Sequence, residues 1–215
     1  MDNNFVLIAI IVVTVLFSYK GFQDQLFFRK YEFHIGSILS GEQIRMISSG
    51  FLHADIAHLA FNMIALYSFA TVVIAYFGWL FFLIIYFGSL LLGNIITFIF
   101  EKNNYSYRAI GASGAVTGII YSAILLVPFQ DVYLFFIPIG IPAYIFGFIY
   151  LLYSIYGMKS KSDNIGHTAH FGGAIAGYIF TIAKLPSLLF NSTWIVILLG
   201  VPIVILFVLA KTKKL

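Results

Sequence analysis

Three short stretches of this sequence hold residue types that can carry out acyl transfer. GASGAVTG, residues 111–118, sets Ser113 among small residues. HADIAHLAFN, residues 53–62, carries His58 and Asn62 four apart, a spacing that puts both on one helical face. GHTAHFGGAIAG, residues 166–177, carries His167 and His170, with Gly173 and Gly177 continuing the face of His170. Serine hydrolysis needs a hydroxyl nucleophile, a base within hydrogen-bond reach, and donors aimed at the developing oxyanion. Ser113, a histidine and an asparagine are residues of those types.

Each stretch also has a plainer reading. His58 and Asn62 could be interhelical hydrogen-bond glue. Ser113 could be a helix N-cap, with Gly111, Gly114 and Gly118 as a close-packing face. GASG is not the G-x-S-x-G elbow of soluble hydrolases, because Gly114 directly follows the serine and no strand precedes it. His167 and His170 could be a metal pair, but two histidines three apart without a nearby carboxylate or cysteine make a thin site. No metal or cofactor is expected.

These residues sit in a very apolar chain. Of its 215 residues, 61% are hydrophobic and 9% charged, against about 25% charged in soluble domains. That composition predicts an integral membrane protein of one domain, residues 1–215. Cys is absent, which excludes a disulfide framework, a thiol nucleophile and a thiolate metal site. The basic residues form no basic-aromatic patch, so nucleic-acid binding has no support. The first residues carry no basic stretch and no A-x-A site follows, so the first apolar run is expected to be retained as a helix.

The pattern predicts an all-α polytopic bundle of seven helices. The first covers residues 5–19. Residues 20–55 are too polar to span and too aromatic for a free linker, so they are expected to fold at the membrane interface. Residues 56–100 contain no Asp, Glu, Lys or Arg and are too long for one crossing of a core about 30 Å thick, so they must turn back, at Gly78-Trp79, to give helices two and three. Helix four is expected over 109–127, helix five over 141–158 after a turn bracketed by Pro138 and Pro142, helix six over 166–183 and helix seven over 194–210. Polar groups inside a membrane usually face the bundle interior or a water-filled cavity. The glycine faces of helices four and six allow close approach, and all three polar groups fall near N-terminal ends of even-numbered helices. Ser113, His170, His58 and Asn62 can therefore share one depth. No acid inside the helices completes a triad, so a Ser-His dyad would have to suffice.

In this ordered set the chain resembles the rhomboid intramembrane serine proteases. The resemblance rests on His58 and Asn62 on the second helix, Gly111-Ala112-Ser113-Gly114 on the fourth, and Ala169-His170 with Gly173 and Gly177 on the sixth. It covers residues 1–185, a six-helix core, with 186–215 as an additional transmembrane helix and basic tail. It implies Ser113 as nucleophile, His170 as general base and then acid, and His58, Asn62 and the Ser113 backbone N–H as the oxyanion hole. His53 matches a further family histidine with a supporting, structural role. Arg45 matches a Trp-Arg signature of the first loop, with Ile44 in place of the Trp. Many members carry Tyr or Phe four residues after the serine, stacked on the catalytic imidazole; this chain has Thr117 there. Either Thr117 hydrogen-bonds instead, or an aromatic from elsewhere fills the gap.

The resemblance implies transmembrane protein substrates within the lipid bilayer, a site open to the exterior, and a multi-pass protein in the plasma membrane of a bacterium. The charges point the other way. Lys20, Arg29, Lys30, Arg45, Lys102, Arg108, Lys159, Lys161, Lys211, Lys213 and Lys214 share the site's side, with Lys184 alone opposite, and the positive-inside rule would put that side in the cytoplasm. The motif set is the more specific signal, so the exterior is expected. Two other functions fit parts of the pattern: a catalytically inactive relative that binds client helices, and a proton-coupled transporter using His58 and His170 as a relay. The lack of membrane acids and of inverted repeats disfavours the transporter.

Overall fold

A computed structural model describes residues 4–133, 139–160 and 165–212. It is a helical bundle. Helix α1 spans Phe5–Gln23 and runs into the short α2, Gln25–Tyr31, whose N-cap Asp24 accepts from the Phe27 N–H at 3.0 Å. Two short helices follow, α3 (Ile35–Leu39) and α4 (Arg45–Ser48), then α5 (Ile56–Glu101), α6 (Ser113–Leu126), α7 (Ala143–Ser160), α8 (His167–Lys184), α9 (Leu188–Asn191) and α10 (Thr193–Lys211). By length and composition α1, α5 and α10 can cross a membrane.

As a straight rod, α5 would be about 69 Å long. It breaks at Gly78, where φ is +79° and helical geometry is lost. The two arms return to the same level. Asn62 borders a cavity with Ser113, while Asn94 donates to the Met46 carbonyl at 2.7 Å and to Ser49 Oγ at 3.2 Å. The Ser49 carbonyl accepts from the Gly111 N–H at 3.0 Å, two residues before Ser113. Lys184 sits at the opposite end, its ammonium 5.2 Å from the Phe81 ring beside the Gly78 turn.

The first loop is folded, as its aromatic content predicts. Phe33, Ile35 and Ile38 form a small core with Met46, Phe98 and Tyr107 against it. Arg45 is buried and ties the loop together: Nη1 donates to the carbonyls of Arg29 at 2.7 Å and Glu32 at 2.9 Å, and Nε to Glu42 at 2.8 Å. Glu32, also buried, is paired with Arg108 and with Arg29. Ile44, where the family pattern has Trp, is exposed.

Most boundaries shift by one or two residues, and three shifts have a visible cause or size. Helix four starts at Ser113, not 109, because Arg108–Ala109 is extended and pairs antiparallel with Phe33–His34. Helix five starts at Ala143, since Ile141–Pro142 pairs with Asp131–Val132. The all-α bundle therefore carries two pairs of two-residue strands. Pro138 lies outside the described residues. Helix one continues to Gln23, further than its apolar run.

Helix α6 is the centre. Its Ala, Gly and Ile residues are apolar all round, and it is buried without a break from Gly114 to Leu125. Helix α8 lies between it and the second arm of α5. A Cβ added at Gly173 would strike the Gly114 carbonyl oxygen, and one at Gly177 the Gly118 carbonyl oxygen. On the other face, a Cβ at Gly172 would stand 2.7 Å from Gly93 Cα. Buried hydroxyls add polar links: Thr181 Oγ1 donates to the Gly177 carbonyl at 2.6 Å and accepts from Ser122 Oγ at 2.7 Å, and Thr97 and Thr168 hydroxyls lie 2.9 Å apart.

Candidate active site

Helix α6 is short for a membrane crossing. At about 1.5 Å per residue a 14-residue helix covers about 21 Å, short of a ~30 Å apolar core. The extended Arg108–Ala109 segment leads into it. Gly111 then turns the backbone with φ +117°, a conformation that L side chains rarely adopt. Ser113 is the first residue of α6, not its N-cap. Ala112 holds the cap position and its N–H is taken by His53 Nε2 at 3.3 Å. As a first-turn residue, Ser113 has a backbone N–H without an intrahelical partner.

Proton counting fixes the His53 ring. Ser18 Oγ donates to the Phe51 carbonyl at 2.8 Å, so it can only accept from His53 Nδ1 at 2.9 Å. Nδ1 carries the proton, and Nε2 is left to accept from Ala112. His53 is fully buried, and burial pushes its pKa down to about 3, with the neighbouring His58 adding to the shift and Asp55 opposing it. A neutral His53 thus bridges α1 to the start of the serine helix.

His58 is held by the start of α5. Asp55 Oδ1 accepts from the His58 N–H at 2.7 Å. Ala54 N–H faces His58 Nδ1 at 3.5 Å, the long end of hydrogen-bond range. His58 Nε2 packs against Gly111: a Cβ there would meet it at 3.0 Å and would meet Ser113 Oγ at 3.8 Å. Asn62 Nδ2 donates to the His58 carbonyl at 3.0 Å and still carries a second proton.

Ser113, His170, His58 and Asn62 all line one cavity of about 830 Å³, with Asp55, Tyr107, Arg108 and Gly166. A second, mainly apolar cavity of about 590 Å³ adjoins it at Ser113 and Asn62. It lies between the first arm of α5 (Phe61, Ile64, Phe69) and α7 (Phe146, Tyr150), over Val116 and Thr117. Among the described residues, no group of three or more His, Cys, Asp or Glu side chains is placed to hold a metal ion.

The Rhomboid domain family model matches residues 40–187, more than half of the chain. The chain belongs to the rhomboid family. "RHOMBOID-like protein 12, mitochondrial" of Arabidopsis thaliana is 31% identical over 83% of this chain and 57% of its own length. "Rhomboid protease GluP" of Bacillus subtilis is 35% identical over 68% of this chain and 27% of its own. "Rhomboid protein 1, mitochondrial" of Saccharomyces cerevisiae is 27% identical over 64% and 41%. This rhomboid therefore spans at most about six tenths of these relatives' length. The matched segment ends just after α8, before α10 begins.

In this rhomboid the Thr117 position has both of the expected answers at once. Thr117 Oγ1 donates to the Ser113 carbonyl at 2.7 Å and lies 3.0 Å from the Tyr150 hydroxyl. An aromatic ring does stack on His170, but it comes from α7: Tyr150, with centroids 5.9 Å apart and planes at 22°. Its hydroxyl is 3.1 Å from His170 Nδ1. Phe146 stacks on Tyr150 in turn, and Phe69 of α5 on Phe146.

Motif spacing did not reveal Tyr150, Gly93 or Gly172. A tyrosine midway along an apolar helix was the available signal, since its hydroxyl needs a partner there. Gly93 and Gly172 read as ordinary helix glycines until their two backbones are seen in contact.

Proposed function

We propose that this protein is an intramembrane serine endopeptidase that cuts transmembrane segments of other membrane proteins with a Ser113–His170 dyad. The observation that carries the reading is the convergence of Ser113, His170, His58 and Asn62, drawn from three helices, on one cavity. A relative whose name calls it a rhomboid protease adds support.

Ser113 Oγ attacks the scissile carbonyl carbon while His170 Nε2 takes its proton. The carbonyl oxygen becomes an oxyanion, and the Ser113 N–H, His58 Nε2–H and Asn62 Nδ2–H are its donors. The N-terminal end of α6 adds the positive end of its dipole. As the C–N bond breaks, the imidazolium returns the proton to the leaving amine. Water then enters through the polar cavity and attacks the acyl carbon as it gives a proton to His170; the C–Oγ bond breaks, His170 returns the proton to Ser113 Oγ, and the carboxylic acid product leaves. The adjoining apolar cavity suits an apolar substrate side chain. The substrate backbone must be extended where it is cut, because helical carbonyls are already hydrogen-bonded. Small or helix-breaking residues near the cut are therefore expected.

The site is taken to open to the exterior of a bacterial plasma membrane. Relatives named as mitochondrial make a mitochondrial membrane the second reading. A reporter fused after Leu215 tests the orientation, and a cytosolic signal there overturns it. For the chemistry, Ser113→Ala abolishes cleavage of a model substrate while expression and fold persist. A serine-reactive phosphonate labels wild type and fails on His170→Ala. Cleavage unchanged in Ser113→Ala sinks the protease reading, and an unlabelled wild type favours an inactive client-binding relative.

A further inference from the structure

We propose that Tyr150 is the positioning residue of this site: from α7 it holds His170 in the Nδ1-protonated tautomer, the part an acid plays in a triad. The catalytic consequence rests on the protease reading, whereas the tautomer assignment stands on geometry alone.

The hydroxyl protons of Thr117 and Tyr150 decide the tautomer. Thr117 Oγ1 has one proton, and it is given to the Ser113 carbonyl at 2.7 Å. Across the 3.0 Å contact with Tyr150, Thr117 can therefore only accept, and Tyr150 must donate. The Tyr150 oxygen then offers only lone pairs to His170 Nδ1 at 3.1 Å, so Nδ1 carries the ring proton. Nε2 is left unprotonated, the form a general base needs. The stacked ring, at 22° to the imidazole, restrains rotation of His170 about its side-chain torsions. Thr117 is part of the device, because it sets the direction of the Tyr150 proton. A valine there would leave Tyr150 able to donate to Nδ1 and would favour the wrong tautomer. Tyr150 also lines the apolar cavity, so whatever occupies that cavity touches the residue that sets the base.

The test uses the full chain in lipid, with ¹⁵N-histidine and His170→Asn to assign the His170 signals. In Ser113→Ala, which needs no activity, His170 shows a protonated Nδ1. Adding Tyr150→Phe, which keeps the ring and removes the oxygen, abolishes that preference. In the active enzyme, Tyr150→Phe lowers kcat about 10- to 100-fold with KM within twofold. Thr117→Val does the same, and the double variant is no worse than either single one, as expected of one chain. A protonated Nε2 in the Ser113→Ala protein overturns the proposal, as does Tyr150→Phe with unchanged kcat and tautomer. Wild type that cleaves nothing but shows the Nδ1 proton sinks the protease reading and leaves the tautomer assignment standing.

Discussion

Gly172→Ala tests the close packing of α8, which carries His170, between the second arm of α5 and α6, which carries Ser113. The added Cβ would stand 2.7 Å from Gly93 Cα, 2.9 Å from the Leu92 carbonyl oxygen and 3.0 Å from the Gly93 nitrogen. All three are backbone atoms and cannot rotate away. Carbon atoms normally rest about 3.5–4.0 Å apart, so α8 must back off by roughly 1 Å. Its opposite face cannot yield, because Gly173 and Gly177 already lie on the Gly114 and Gly118 carbonyls of α6. Overpacking of this kind costs about 1–3 kcal/mol of stability. His170 is two residues away on the same helix, and a displacement of about 1 Å at a catalytic group lowers rate about 10²-fold. The assay is kcat/KM on a fluorogenic transmembrane substrate in proteoliposomes, with thermal unfolding in detergent alongside. A folded Gly172→Ala protein with kcat/KM within twofold of wild type would refute the proposal that this helix contact sets the geometry of the Ser113–His170 dyad.

Three other outcomes follow from the same geometry. Gly111→Ala combines a strained φ of +117° with a Cβ 3.0 Å from the His58 ring, and should cost about 1–3 kcal/mol and displace His58, the proposed oxyanion donor; thermal unfolding and kcat measure the two effects. Because the His53 pKa is depressed in the fold to about 3, the unfolded chain binds the proton more readily below about pH 6.5. The stability from neutral His53 is therefore intact above that pH and lost as pH falls toward 3, at up to about 1 kcal/mol per pH unit. Unfolding midpoints between pH 7 and 4 should show this slope, and His53→Gln should flatten it. Arg45→Ala removes hydrogen bonds to Arg29, Glu32 and Glu42 and should cost about 2–4 kcal/mol, because two of them satisfy carbonyls of a buried loop. Arg45→Lys should recover only part of this, read as the melting temperature in detergent.

The helices were legible because the membrane makes their pattern coarse. A run of 45 residues without a charge, with Gly78 in its middle, can do little but cross and return. Ser113, His170, His58 and Asn62 were legible as costly polar groups on small-residue faces, and their order carried the family. Local spacing did not reveal strand pairing at Phe33–His34, which moved the start of the serine helix to residue 113.

The sequence by itself determined that the chain is membrane-embedded, where it turns, and which few side chains are costly enough in lipid to need a reason. Only the tertiary structure decided how those side chains are supported. His53 reaches Ala112 across 59 residues, and Tyr150 reaches His170 from another helix. The physical reason is range. Hydrophobic periodicity and helix-breaking residues act within a few residues of the chain. The tautomer of a histidine depends on where protons lie in a chain of hydroxyls that meets only after α6, α7 and α8 have packed.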